Sequence, residues 1–205
     1  GDDGGTTHDL GQFSVGQSVP VGRSGGGSLR IGNPFAAQTQ AALGMDPYPI
    51  ILSGEGAWEL QLMDADGELR RLVRADIPRT PVTQEILDGE RNRLQERVSS
   101  SGVTRGQLEE GLNRLPIPDS IQAVGRIEVD ASGNIWVGRR TGERDLERDF
   151  DIISAHGRWL TSVRLPAEIE RILAIGQEHI LGTWRDELDV PYLRVYRIEK
   201  PGGGG

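Results

Sequence analysis

The sequence predicts an all-β repeat protein, and three observations predict it. Residues 121–140, IQAVGRIEVDASGNIWVGRR, read as one hairpin: Val124, Ile127 and Val129 lead into Asp130, Ser132, Gly133 and Asn134, and Ile135, Trp136 and Val137 lead out. A second hairpin follows, an apolar run over 150–154, the turn Ala155-His156-Gly157, and a run over 159–165 that Pro166 stops. The two together predict an up-and-down sheet of four strands. The third observation is an echo: Ala65, Gly67, Val73 and Arg74 match Ala155, Gly157, Val163 and Arg164, each ninety positions on.

The earlier copy of this grammar runs from Trp58 to Met63, turns at Asp64-Ala65-Asp66-Gly67, and returns through Leu69, Leu72 and Val73. A third copy is incomplete, with strands expected over 169–176, 179–186 and 192–198, and Gly202 stands forty-five positions after Gly157. A unit of this length, with one interval doubled by an insertion, falls in the roughly 40 to 50 residues of a propeller blade.

The D-x-x-G-N-I-W-V run at 130–137, followed by a strand, an x-x-x-G turn and the V-x-L-P of 163–166, resembles one blade of the six-bladed β-propeller family of the NHL and TolB type. The resemblance covers about residues 33–200 and implies a partial propeller of about three four-stranded antiparallel blades with a helical insertion. It divides the chain into a flexible N-terminus with an edge strand (1–32), a blade (33–78), the insertion (79–120), a second blade (121–166), a last blade lacking its outer strand (167–200) and a disordered tail (201–205). The family has six blades, so the resemblance also implies that the front of a longer, extracytoplasmic protein precedes this stretch.

Composition sets bounds on the function. Apolar residues at 36% and charged residues at 26% are ordinary for a folded domain, and 29 glycines suit a turn-rich β protein. A net charge of -8 and a pI near 5.0 argue against nucleic acid or an anionic membrane as partner. No cysteine is present, so disulfides and thiolate metal sites are excluded, and no apolar run is long enough for a membrane-spanning helix. Lys200 is the single lysine; every other basic residue is arginine, the bias of a GC-rich bacterial gene.

Along the chain, residues 1–7 carry nothing to bury and are expected to be disordered. Leu10, Phe13, Val15, Val19 and Val21 make a broken β pattern that Pro20 confines to an edge, either the outer strand of a preceding blade or a strand closing the last one. Residues 22–28 read as a loop, and 33–44 bring the chain into the first blade, whose middle strands are 50–52 and 58–63. Ile50-Ile51-Leu52 is apolar on both faces, as a sheet covered on both sides would be.

The insertion over 79–118 is the helical part. Thr80 before Pro81 is expected to open a first helix with an apolar stripe of Val82, Ile86, Leu94 and Val98, broken at Ser99-Ser-Ser-Gly. Thr104 and Gln107 fit a capping box for a second, with Leu108, Leu112 and Leu115 on one face and Pro116 and Pro118 ending it. Its functional reading is a lid or docking surface; its plain reading is a helical pair that caps the sheets.

No run of residues marks a catalytic, cofactor or metal site. Gly22-Arg23-Ser24-Gly25-Gly26 spells G-x-S-x-G, but a nucleophile elbow needs a helix to follow, and no Gly-Lys-Ser/Thr makes it a phosphate loop. Asp64, Asp66 and Glu68 lack the glycine a calcium loop needs at its sixth position, where Leu69 stands. His8, His156 and His179 have no ligand spacing, and His156 takes the place of Asp66 in a turn. The run RRTGERDLERDFD at 139–151 alternates in sign and reads as a solvated loop, and Trp58, Trp136, Trp159 and Trp184 read as packing between sheets.

Three functions follow as expectations. The first is a non-enzymatic binding or scaffolding module for a protein or small ligand, with loops and the insertion carrying recognition. The second, implied by the resemblance, is a metal-dependent propeller hydrolase or lactonase, whose channel-facing polar residues in this stretch are Gln38, Gln40, Gln122, Glu128 and Glu170. The third is a half-propeller that forms a homodimer to complete the ring.

Overall fold

The computed structural model describes residues 12–54, 56–140 and 148–199. The expectations for 1–7, His8, Leu10, Gly202, the tail and positions 141–147 of the charged run lie outside the described residues.

Among them the chain is mostly β. The first sheet is β3 (Ala41–Leu43), β4 (Ile50–Ser53), β5 (Glu59–Met63) and β6 (Leu69–Arg74), hydrogen-bonded in chain order. The middle sheet is β7 (Val124–Val129), β8 (Ile135–Arg139), β9 (Asp149–Ile153) and β10 (Trp159–Arg164), also in chain order. The third has three strands, β11 (Arg171–Ile175), β12 (His179–Arg185) and β13 (Pro191–Arg197). Every pairing is antiparallel, and β5–β6 and β9–β10 begin and end ninety positions apart, as the echoed residues predict.

Turn chemistry explains why these hairpins close where they do. Asp64 accepts the backbone N–H groups of Asp66 and Glu68, Asp130 those of Ser132 and Asn134, and Asp186 those of Leu188 and Val190. The residue three after each aspartate is left-handed: Gly67 (φ 82), Gly133 (φ 79) and Asp189 (φ 62), where glycine or a short polar side chain bears the conformation best. Each aspartate also binds the side chain six positions on, Arg70, Trp136 and Tyr192 respectively. Gly157 adds a packing reason, because a Cβ there would lie 2.7 Å from Val73 Cγ2 of the first sheet.

The three sheets stack face to face. Ile51, Leu60 and Leu62 of the first pack against Val124, Ile135, Val137 and Ile153 of the middle sheet. The opposite face of the middle sheet, Trp136, Phe150 and Ile152, packs against Ile172, Ile175 and Ile180 of the third. Covered on both sides, β8 opens on the apolar run Ile135-Trp136-Val137, and in β9 Phe150, Ile152 and Ile153 are buried together with Asp151, because both faces must leave water. Among the described residues the stack does not close on itself, so the architecture is three layered antiparallel sheets.

The insertion departs from the middle of this stack and returns to it. An isolated bridge between Pro81 and Ser120, with bonds from Val82 N–H to the Asp119 carbonyl and from Ile121 N–H to the Thr80 carbonyl, closes its neck. Helix α1 (Gln84–Val98) is capped by Thr83, not by the expected Thr80: Pro81 is spent on the neck, and Thr83 Oγ1 accepts Ile86 N–H. Helix α2 (Arg105–Leu112) has the expected capping box of Thr104 and Gln107.

One expectation fails outright. Among its described residues the β pattern of 10–21 is strand only as β1 (Ser18–Gly22), which pairs across the expected 22–28 loop with β2 (Ser28–Gly32) and not with the third sheet. Val21 and Ile31 of this hairpin share a separate core with Leu94, Val98, Val103 and Leu108 of the insertion. Alternate residues of a two-stranded ribbon face one way, so a nearby apolar helix face captures it more readily than a distant sheet edge.

Candidate functional site

The first strands of the three sheets come together at one end. There β3, β7 and β11 surround an open cavity of about 350 Å³ lined by Leu43, Met45, Glu128, Asp130, Leu173 and Ile175. Asp130 has no capacity to spare for a ligand: it is buried and accepts from Ser132 and Asn134 N–H, Asn134 Nδ2 and Trp136 Nε1 at 2.8–3.1 Å. Glu128 is half-buried, and loss of hydration pushes its carboxyl above the usual range, partly opposed by the charges of Arg126 and Arg171.

Of the five polar residues expected to face a channel, only Glu128 lines this cavity. Gln122 is buried and staples the chain, its Oε1 accepting Gln38 N–H and its Nε2 donating to the Gln38 carbonyl, both at 2.7 Å. The Gln40 backbone brackets Ser53, accepting from its N–H and donating to its hydroxyl. Glu170 is exposed and paired with Arg185 at 3.0 Å. The structure therefore does not bring the five together. Among the described residues, no three His, Asp or Glu side chains are placed to hold a metal ion.

The remaining sequence motifs resolve into structure. Gly22 ends β1 and the G-x-S-x-G loop leads into β2, so Ser24 lacks the helix that a nucleophile elbow requires. Its backbone N–H donates to the Gly102 carbonyl, and Arg23 Nε donates to the Ser101 carbonyl at 2.5 Å, tying the loop to the α1–α2 connection. Asp64 serves its turn, and His156 lies in the turn before β10. In the charged run, Arg139 grips the fully buried Asp151 with two bonds of 2.9 and 2.6 Å, so this pair is part of the core, not of a solvated loop. Trp58 is buried and meets Trp159 at 5.6 Å, and Trp136 is buried against Phe150. Trp184 instead lies between Tyr192, at 5.4 Å, and the guanidinium of Arg194, at 3.5 Å.

The larger concavity lies on the insertion. Between α1 and α2 runs a groove of about 530 Å³ lined by Asp88, Arg91, Asn92, Gln95, Arg105 and Glu109, with Asn113 at its end. Its charges are matched along each helix, Arg91 with Asp88 at 3.1 Å and Arg105 with Glu109 at 2.8 Å. Gln95 Oε1 is buried there without a hydrogen-bond partner among the described residues. Sequence reasoning marked the insertion but not this groove, because it arises from the separation of two helices whose facing residues are mostly polar, with Leu108 and Leu112 of α2 the apolar exceptions. The signal that was present is the row Asp88, Asn92, Gln95 on one side of α1, at helical spacing. In comparison with known proteins, no family model matches this sequence, and no curated protein resembles it closely.

Proposed function

We propose that this chain is a non-enzymatic binding module, a section of a six-bladed β-propeller whose α1–α2 groove takes an extended segment of a protein partner. The observation that carries the reading is the groove itself. It combines three amides, Asn92, Gln95 and Asn113, with a balanced set of charges, and one amide oxygen in it is buried with no donor. Amide side chains match the N–H and C=O groups of an extended main chain, whereas the matched charges give no net field to attract a polyanion. The stacked sheets support the propeller part of the reading: the inner strands converge while the outer strands β6 and β10 are largely exposed.

The test uses a displayed library of random linear peptides selected on the whole chain, followed by the variants Asn92→Arg and Gln95→Arg. Asn92 is exposed, so its variant keeps the fold, which circular dichroism checks. Selected peptides should bind N92R and Q95R at least ten-fold more weakly. Peptides that bind both variants as well as the parent chain would remove the groove from consideration.

A further inference from the structure

Glu128 departs from the chain's own repeat. In the first hairpin of each sheet, Ala42 pairs with Ile51, Glu128 with Trp136 and Ala174 with Leu181. Ile51 and Trp136 pair onward with Leu62 and Ile152, ninety positions apart, and Trp136 and Leu181 stand forty-five apart, so the three rows are equivalent. One position of the first strand is therefore alanine in two sheets and glutamate in the middle one.

Nothing within the fold uses that carboxylate. Among the described residues Glu128 makes no hydrogen bond or ion pair, and the loss of hydration that raises its carboxyl outweighs the charges of Arg126 and Arg171. The Arg126 guanidinium is turned to the Phe150 ring, 4.9 Å from its centroid, and Arg171 is exposed. A half-buried ionisable group without a partner costs stability, and proteins hold such groups where a ligand completes them.

The surroundings define the ligand. Glu128 lines the cavity of about 350 Å³ between β3, β7 and β11, and its walls include the apolar side chains of Leu43, Met45, Leu173 and Ile175. Asp130, the other carboxylate there, already accepts four hydrogen bonds. A divalent cation needs several oxygen ligands, and no such cluster stands among the described residues. What matches one acceptor-only group in an apolar enclosure is a single charged N–H donor carrying a hydrocarbon body.

We propose that this cavity binds a small primary amine in its protonated form, with the ammonium on the Glu128 carboxylate and an alkyl or aryl body against Leu43, Met45, Leu173 and Ile175. The charge-assisted hydrogen bonds replace the water that the carboxylate has lost, and burial of the hydrocarbon supplies the remaining affinity. The site shares no residue with the α1–α2 groove and does not depend on it.

The test titrates hexylammonium chloride into the whole chain, followed by methyl NMR and calorimetry, with 1-hexanol as the uncharged analogue. Saturable shifts should appear at Leu43, Met45, Leu173 and Ile175, with a Kd below about 1 mM. Glu128→Gln keeps the shape and removes the charge, and should weaken hexylammonium at least about ten-fold; 1-hexanol should bind the parent chain weaker by a similar factor. Met45→Arg, at a position 47% exposed, places a cation of the chain's own in the cavity and should abolish binding with Glu128 intact. Circular dichroism of both variants, expected to match the parent, separates loss of the site from loss of fold. No saturation by about 10 mM, E128Q binding hexylammonium as well as the parent does, 1-hexanol binding as well as hexylammonium, or shifts centred on α1 and α2 would each overturn the proposal.

Discussion

The first and middle sheets are built from the same strand grammar, yet the same position does different work in each. Position 61 is a half-buried glutamine, while its counterpart ninety residues on, Asp151, is fully buried and held by Arg139 and by the Ser162 hydroxyl at 2.8 Å. Asp64 forms its turn only partly buried, while Asp130 forms the same turn buried and also takes the indole N–H of Trp136. The middle sheet is covered on both faces, whereas the outer face of the first is covered only in part, with Leu52 and Met63 buried and Leu43 and Leu69 exposed. Coverage, not local sequence, sets what each residue is worth.

The comparison breaks most visibly between Phe150 of the middle sheet and Leu193 of the third. Phe150→Ala empties a fully buried site and should cost about 3–5 kcal/mol in urea unfolding. Leu193→Ala, 68% exposed, should stay within about 0.5 kcal/mol. Equal costs would mean that the third sheet's outer face is covered within the chain.

The turns give the next contrast. Asp130→Ala orphans the buried Trp136 indole and two backbone donors and should cost about 2–4 kcal/mol, whereas Asp64→Ala, at a turn whose donors reach water, should cost clearly less. Thermal unfolding of the two variants side by side would show it.

Ion pairs follow the same order. Arg139→Ala leaves Asp151 buried without its guanidinium; with Arg139 itself 37% exposed, the loss should be about 2–3 kcal/mol. Arg74 and Arg164 pair Glu59 and Asp149 across the two outer hairpins, fifteen residues apart in each, and replacing either by alanine should change stability little because both arginines lie in solvent.

The smallest effect is in pH. Hydrogen bonds from Arg74 and Arg164 hold Glu59 and Asp149 below their ordinary range, so their contribution is full above that range and is lost as the pH falls through the lowered values. Glu128 has the opposite sign. Burial raises it above 4.5, so the folded chain holds a proton that the unfolded chain releases, and stability falls as the pH rises through that window. Glu128→Gln should therefore match the parent below the window and exceed it above, as read by urea midpoints across pH; a constant difference at every pH would assign Glu128 another role.

Much of this was legible. The hairpins at 124–139 and 149–164, the capping box at Thr104 and the ninety-residue echo all stand in the sequence, because turn aspartates, left-handed glycines and alternating apolar residues act locally. The β2 strand was not, since Ser28-Leu-Arg-Ile-Gly has too few apolar residues to stand out before α1 and α2 supply its cover. Nor was the place of Gln122, which spends both ends of its amide on the Gln38 backbone. The α1–α2 groove depends on the distance between two helices, which no local pattern encodes.

The sequence by itself determined where the chain turns, which runs become strands, and that the units repeat, because backbone conformation and side-chain alternation are settled within a few residues. Tertiary structure alone decided which sheet would be buried on both sides, and with it which aspartate is a core residue and which a surface one. Burial is a property of what lies across the sheet, tens of residues away, and the free energy of a charge or a donor is set by that neighbour and not by the residue's own name.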